Sequence, residues 1–295
     1  MADPDLNPAP SREPGGFVTR FAPSPTGYLH RGHAFSALTA HEAARAAGGR
    51  FLLRIEDIDA TRCRPEFEAA ILEDLAWLGL AWETPVRRQS EHLADYRAAL
   101  ASLEARGLVY RCFKTRKEIL DDIGRAPHGP AETYVGAPLA ADEEARRVAE
   151  GRPYAWRLSL AAAREALGGF GGLTFVEEGQ GPPRVVRAEP ERAGDVVLAR
   201  KDVGVAYHLA VVVDDALQGI THVIRGEDLA EAAHIQRLLQ ALLGLPTPVY
   251  RHHRLLTAPD GRRYAKRDKA ETLRDLRARG VTAAALRAEL GFAAA

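Results

Sequence analysis

Arg20-Phe21-Ala22-Pro23-Ser24-Pro25-Thr26-Gly27 and, after Tyr28-Leu29, His30-Arg31-Gly32-His33 form the stretch whose reading decides the fold. Residues 17–22 have the composition of a short strand, and the Pro/Gly loop that follows stops it. Residues 32–47 then place Ala34, Leu38, His41 and Ala44 at helical spacing until Gly48-Gly49 ends the run. Residues 50–56 have the apolar content of a buried strand, and Asp57-Ile58-Asp59 turns outward after them. Strand, helix and strand in that order predict parallel pairing through a right-handed crossover.

Working outward, residues 64–80 carry Phe67, Ile71, Leu75 and Leu78 at three- and four-residue steps, which predicts a second helix covering the sheet. Residues 91–106 read as a further helix. From 109 to 194 the rhythm is lost while Gly and Pro accumulate, the pattern of an inserted subdomain. Strand-like apolar runs return over 195–201, 206–214 and 220–225, a helix over 229–243, and two short helices over 271–279 and 282–290. The predicted architecture is α/β: a Rossmann-like, doubly wound parallel sheet in two halves, 17–108 and 195–250, separated by the 109–194 insertion. Residues 251–295 follow as a loop with terminal helices, and 1–16 form a disordered N-terminal tail.

The 295 residues hold 40 Lys and Arg against 40 Asp and Glu, so no global basic field advertises a nucleic-acid partner, and any RNA contact must be local. Cys63 and Cys112 are too few for a disulfide framework and fit a reducing compartment, which points to the cytoplasm. Nothing approaches the roughly 18 uninterrupted apolar residues of a spanning helix, and residues 1–16 lack the pattern of a secretory signal. No membrane partner is expected, and the chain is expected to be monomeric.

His30 and His33 bracket the start of the first helix. A helix N-terminus presents unpaired N–H groups and the positive end of its dipole to phosphate oxygens, and two imidazoles add donors. Gly32, lacking a side chain, lets a nucleobase or ribose approach the backbone closely. The bland alternative is that a histidine at such a place only caps the helix. Its position between a strand and a helix on an open parallel sheet favours the nucleotide reading.

Arg20 to Gly27 with His30 to His33 resembles the signature of class I glutamyl-tRNA synthetases. Arg54-Ile55-Glu56-Asp57-Ile58-Asp59, Tyr207-His208-Leu209-Ala210-Val211-Val212-Val213-Asp214-Asp215 and Val223-Ile224-Arg225-Gly226-Glu227-Asp228-Leu229 resemble later blocks of that family, in its order. The resemblance covers roughly residues 17–279. It implies that His30, Gly32 and His33 bind ATP, with both imidazoles acting in adenylate formation. It also implies a glutamate site at Arg20, Phe21, Ala22, Pro23, Ser24, Glu56, Tyr207 and Arg225. The chemistry agrees: guanidinium groups hold carboxylates bidentately, and a carboxylate faces the α-amino group.

Gly261-Arg262-Arg263-Tyr264-Ala265-Lys266-Arg267-Asp268 resembles, in altered form, the Lys-Leu-Ser-Lys-Arg signature of these enzymes. Arg263 stands for the first lysine and Ala265 for the serine, while Lys266 matches the lysine that contacts ATP and is expected to be catalytic. Magnesium is expected to accompany the ATP.

The chain has no room for the family's helical anticodon-reading domain, and none is expected. The resemblance is therefore to the short paralogues, glutamyl-Q tRNA(Asp) synthetases. It implies glutamate activation without tRNA, followed by transfer to queuosine in the anticodon loop of tRNA(Asp), with the anticodon arm as partner. Two alternatives stay open: a truncated synthetase charging the 3′ end of tRNA(Glu), and a non-catalytic paralogue that binds nucleotide or RNA. Many short paralogues hold zinc through Cys-x-Cys and a later Tyr-x-x-x-Cys. Here Cys112 and Tyr134 match, but Lys114 and Pro138 occupy the other two positions, so no metal site is expected and zinc is expected to be absent.

Overall fold

The computed structural model describes residues 16–115, 117–119, 133–179, 181–200, 204–256 and 271–293. The expected strand, helix and strand open it: β1 (Val18–Phe21), α1 (Arg31–Ala46) and β2 (Arg50–Ile55). β1 and β2 pair in parallel with Arg20 beside Leu52. Gly48, at φ +57°, makes the turn between α1 and β2. A Cβ on Gly49 would lie 2.3 Å from the Phe17 carbonyl oxygen, so the chain reverses there only because glycine lacks one.

α2 (Pro65–Trp77) leads to β3 (Glu83–Arg88), which extends the sheet beyond β2 in parallel. α3 (Leu93–Ala105), entered through a 3-10 turn at Gln89–His92, closes this half. The other half holds β10 (His222–Gly226) and β11 (Val249–His253) in parallel, joined by α7 (Ala230–Leu243). β10 runs beside β1: the Thr221 amide donates to the Val18 carbonyl at 2.9 Å, and the Val18 amide donates to Thr221 Oγ1 at 2.8 Å.

Three sequence expectations need correction. Residues 206–214 were expected as a strand, but α6 (Tyr207–Leu217) is a helix. Leu209, Ala210, Val211, Val212, Val213, Asp214 and Asp215 are all buried, so this helix shows no polar face. Its helical period is therefore erased, and the valine run imitates a strand. Next, the run at 195–201 forms β8 (Val197–Arg200), yet it does not resume the parallel sheet. It joins β4 (Val109–Cys112), β5 (Ala155–Leu158) and β9 (Gly204–Val205) in an antiparallel sheet of its own. Conversely, β6 (Thr174–Glu178), from the stretch read as inserted, pairs in parallel with β11, and β7 (Arg184–Arg187) is its antiparallel neighbour. The other described helices of that stretch are α4 (Ala141–Ala149) and α5 (Leu160–Ala166).

Alternation along the strands divides the core between two faces of the parallel sheet. Phe21, Phe51, Leu53, Ile55 and Ile224 meet α1, α2 and the terminal helices α8 (Leu273–Ala278) and α9 (Ala283–Glu289). Val18, Leu52 and Val223 meet α3, α6 and α7. With helices on both faces, the sheet is doubly wound. The same period puts Arg20, Arg54 and Arg225 on the face with Val18, Leu52 and Val223, near the C-terminal ends of their strands.

Beneath them, α6 supplies two adjacent carboxylates. Arg54, fully buried, donates to Asp215 Oδ1 at 2.8 Å, to Gln218 Oε1 at 3.0 Å and to Glu56 Oε1 at 3.2 Å. Arg20 donates to Asp215 from Nε at 3.0 Å and from Nη2 at 3.4 Å. Asp214, also fully buried, accepts from Arg87 Nε at 2.7 Å, from Gln89 Nε2 at 2.7 Å and from the Tyr96 hydroxyl at 2.8 Å. Removing one member of such a network leaves its partners charged and buried. Asp214→Ala is expected to lower unfolding free energy by about 3–5 kcal/mol, read from urea titration of the variant against the parent chain.

Candidate active site

Two backbone contacts tie the loop after β1 to the chain that follows β2, and a third closes a turn within the loop. Glu56 N–H donates to the Pro23 carbonyl at 3.0 Å, Arg64 N–H to the Pro25 carbonyl at 3.0 Å, and Thr26 N–H to the Ser24 carbonyl at 2.8 Å. Prolines leave these carbonyls as the loop's main bonding groups. The result is a cavity of about 460 Å³ at the C-terminal ends of β1 and β10, where open α/β sheets bind ligands. Its lining includes Arg20, Phe21, Ala22, Pro23, Ser24, Glu56, Tyr207 and Arg225, all eight residues expected for the amino-acid site. Thr26, Ser36, Asp59 and Arg62 line it too and were not singled out from the sequence.

Of the residues expected at ATP, His33 lines this cavity, whereas His30 and Gly32 are not part of its wall. Their local geometry shows why. His30 is the N-cap of α1, and its Nδ1 accepts the Gly32 amide at 3.1 Å, while His33 Nδ1 accepts the His30 amide at 3.2 Å. The two rings lie 3.7 Å apart between centroids. Capping thus engages Nδ1 of both rings. With each Nδ1 accepting, the neutral tautomer carries its proton on Nε2, which makes that nitrogen a hydrogen-bond donor in both rings. Lys266, Arg263 and Ala265 lie outside the described residues.

The two pocket arginines differ in their electrostatics. Arg20 is already matched by Asp215, whose carboxyl is held below the usual range: burial opposes this, but Arg20 and Arg54 outweigh it. Arg225, 5% exposed, donates Nε to His252 Nε2 at 3.2 Å, Nη1 to Gln236 Oε1 at 2.9 Å and to the Tyr207 hydroxyl at 3.3 Å, and Nη2 to the Leu229 carbonyl at 3.0 Å. Among the described residues no carboxylate contacts it directly. A buried guanidinium held by neutral acceptors is a site prepared for an anion. Glu56 has the complementary character: burial pushes its carboxyl up, against the pull of Arg54 and Arg20. An ammonium at that carboxylate would favour its charged form.

A sequence profile described as tRNA synthetases class I (E and Q), catalytic domain, matches residues 17–292. The chain belongs to this family. A glutamyl-Q tRNA(Asp) synthetase of Rhodobacter capsulatus is 49% identical over 294 residues, covering 93% of this chain and 100% of that one. The glutamyl-Q tRNA(Asp) synthetase of Nocardia farcinica is 44% identical over 262 residues, covering 88% and 79%. Among solved structures, a glutamate tRNA ligase from Elizabethkingia meningosepticum, in complex with its amino acid, superposes with a TM-score of 0.71 at 28% identity. The match covers 86% of this chain and 52% of that one, so the chain spans about half the length of that synthetase. The class I catalytic domain accounts for the fold: parallel strands, a switch between β1 and β10, and a ligand cavity at their C-terminal ends.

The zinc position of short family members does not fit a metal here. Cys112 Sγ lies 3.8 Å from the Tyr134 hydroxyl, and Lys114 Nζ sits 5.8 Å from the centroid of the Tyr134 ring. An ammonium thus stands where a thiolate would have to, and Pro138 has no donor atom to offer. Elemental analysis of purified protein is expected to find zinc well below one atom per chain, and a stoichiometric value would refute this reading.

His208, second residue of α6, is pulled down to about 4 by burial first and Arg225 second. It is therefore neutral in the folded chain at neutral pH. An unfolded histidine titrates near 6.5, so between about 6.5 and 4 the unfolded chain binds the extra proton. The stability this contributes is present above about pH 6.5 and gone by about pH 4, up to about 3 kcal/mol from His208 alone. Unfolding free energy is expected to fall across this window. His208→Leu should flatten the slope, and an equal slope in the variant would exclude His208 as its source.

Proposed function

We propose that this family member activates L-glutamate with ATP, releasing pyrophosphate, without needing tRNA, and then transfers the glutamyl group to queuosine in the anticodon loop of tRNA(Asp). The observation that carries the reading is Arg225: a nearly buried cation with neutral partners, in one cavity with Arg20, Glu56 and His33. A dicarboxylic amino acid supplies two anions for the two guanidinium groups and an ammonium for Glu56. The high coverage of the Rhodobacter capsulatus and Nocardia farcinica glutamyl-Q tRNA(Asp) synthetases supports this acceptor over the 3′ end of tRNA(Glu).

In the first step an oxygen of the glutamate α-carboxylate attacks the α-phosphorus of ATP, and the bond to pyrophosphate breaks. The Nε2–H of His33, with that of His30 beside it, donates to phosphate oxygens as charge builds on them, and Lys266 neutralises the departing pyrophosphate. Magnesium accompanying the triphosphate would supply further neutralisation of that charge. In the second step a hydroxyl of queuosine attacks the carbonyl carbon, an ester forms, and AMP leaves with the hydroxyl proton. A neighbouring cavity of about 290 Å³ shares Ser24, Glu56 and Tyr207 with the first and is walled by Val197, Arg200 and Gly204 of the antiparallel sheet. None of His30, Gly32 and His33 lines it, which supports it as the acceptor's way in. The partner is then the anticodon arm, the working form a monomer, and the place of action the cytoplasm.

Two assays test this. Glutamate-dependent ATP–pyrophosphate exchange without tRNA is expected, and Lys266→Ala should slow it at least about tenfold with little change in glutamate binding, since one such preorganised donor contributes about 2.7–4 kcal/mol. Labelled glutamate should pass to queuosine-containing tRNA(Asp) and not to unmodified tRNA(Asp) or tRNA(Glu). Absence of exchange would leave a nucleotide- or RNA-binding protein, and charging of tRNA(Glu) would identify a truncated synthetase.

A further inference from the structure

Glu177 and His252 stand outside the cavity wall, yet they meet its least compensated cation. Glu177 lies on β6 and His252 on β11, the strands that pair in parallel. Arg225 Nε–H donates to His252 Nε2 at 3.2 Å. On the other edge of the ring, His252 Nδ1 lies 3.0 Å from both Glu177 carboxylate oxygens, and the His252 backbone amide donates to Glu177 Oε1 at 3.0 Å. Both side chains are mostly shielded, 7% and 14% exposed. Because Nε2 must accept from a guanidinium, which has no lone pair to give, the ring proton sits on Nδ1 and is donated to Glu177.

We propose that Glu177 and His252 form a positioning relay for Arg225, which fixes the guanidinium that receives a substrate carboxylate; this rests on the glutamate reading above. The carboxylate holds the imidazole in one tautomer and one orientation, the logic by which a third group orients a catalytic histidine. The imidazole then supplies a directed acceptor for Nε without placing an anion against the arginine. A carboxylate in direct contact would satisfy Arg225 and compete with the ligand. A relay one ring away orients the charge and leaves it to be answered by substrate. Gln236, Tyr207 and Leu229 hold the terminal nitrogens, and the relay supplies the acceptor for the remaining one, Nε. The arrangement also gives the stretch between β4 and β8 a stake in amino-acid binding, since Glu177 comes from it.

The test uses the full chain, with glutamate affinity measured by calorimetry and exchange kinetics measured for both substrates. His252→Leu leaves Nε of Arg225 buried without an acceptor and should raise the glutamate Kd and KM at least about tenfold, with ATP KM and kcat within about twofold. Glu177→Gln, an isosteric change that frees the tautomer, should move the same quantities in the same direction by less. His252→Gln, whose amide oxygen can take the place of Nε2, should recover part of the affinity lost in His252→Leu. A merely structural role would shift both substrates, or thermal stability alone, and would show no recovery with glutamine. Glutamate binding that is unchanged in both His252→Leu and Glu177→Gln would overturn the relay while leaving the glutamate site standing. Failure of the unaltered chain to bind glutamate would overturn both.

Discussion

The structure depends first on a buried guanidinium between two adjacent carboxylates. Arg54 emerges from β2 with no exposure and is met by Asp215 at 2.8 Å and by Asp214 at 3.6 Å, consecutive residues of α6. An ion of that kind is tolerable in the interior only when its partners are fixed. It therefore dictates where α6 lies beneath the sheet and in which rotation. Tyr207, at the first turn of the same helix, is carried by that constraint to the Arg225 guanidinium, and Asp215 turns Arg20 at the cavity wall. One interior ion network thus sets the positions of two residues of the cavity wall.

Charge is distributed unevenly around that site, and the unevenness is its chemical content. Arg20 arrives neutralised by Asp215, whereas Arg225 is held by an imidazole, an amide, a phenol and a carbonyl. Glu56 is destabilised as an anion by burial and stabilised by the arginines of the network. An apolar or singly charged ligand would leave at least one of these groups unanswered. The cavity is preorganised for a ligand bearing both signs.

The stretch between β4 and β8 is less separate than its composition suggests. Its β6 joins the parallel sheet beside β11, and its β4 and β5 take β8 and β9 into an antiparallel sheet whose edge walls the second cavity. Asp195 ties this region together, accepting from the Tyr110 hydroxyl at 2.9 Å, the Gly136 amide at 2.9 Å and the Leu160 amide at 3.0 Å. Composition detects where a rhythm breaks, but strand pairing is decided by partners far away in the chain.

By itself, the sequence determined the local elements whose signals are local: the strand, loop and helix around Arg20 to His33, the Gly48-Gly49 turn, and the apolar spacing of α2 and α7. These follow from caps, breakers and periodicity carried by residues near one another, whereas the eight expected residues that line the cavity came from resemblance to family blocks far apart in the chain. Only the tertiary structure decided that 207–217 is a helix, because burial on every side removes the polar face that a helix would otherwise display. It alone also showed that Arg54, Asp214 and Asp215 form the supporting network, and that Glu177 and His252 reach Arg225 across two strands. Ion pairing and strand register join residues distant in the chain, and no pattern within a short window records them.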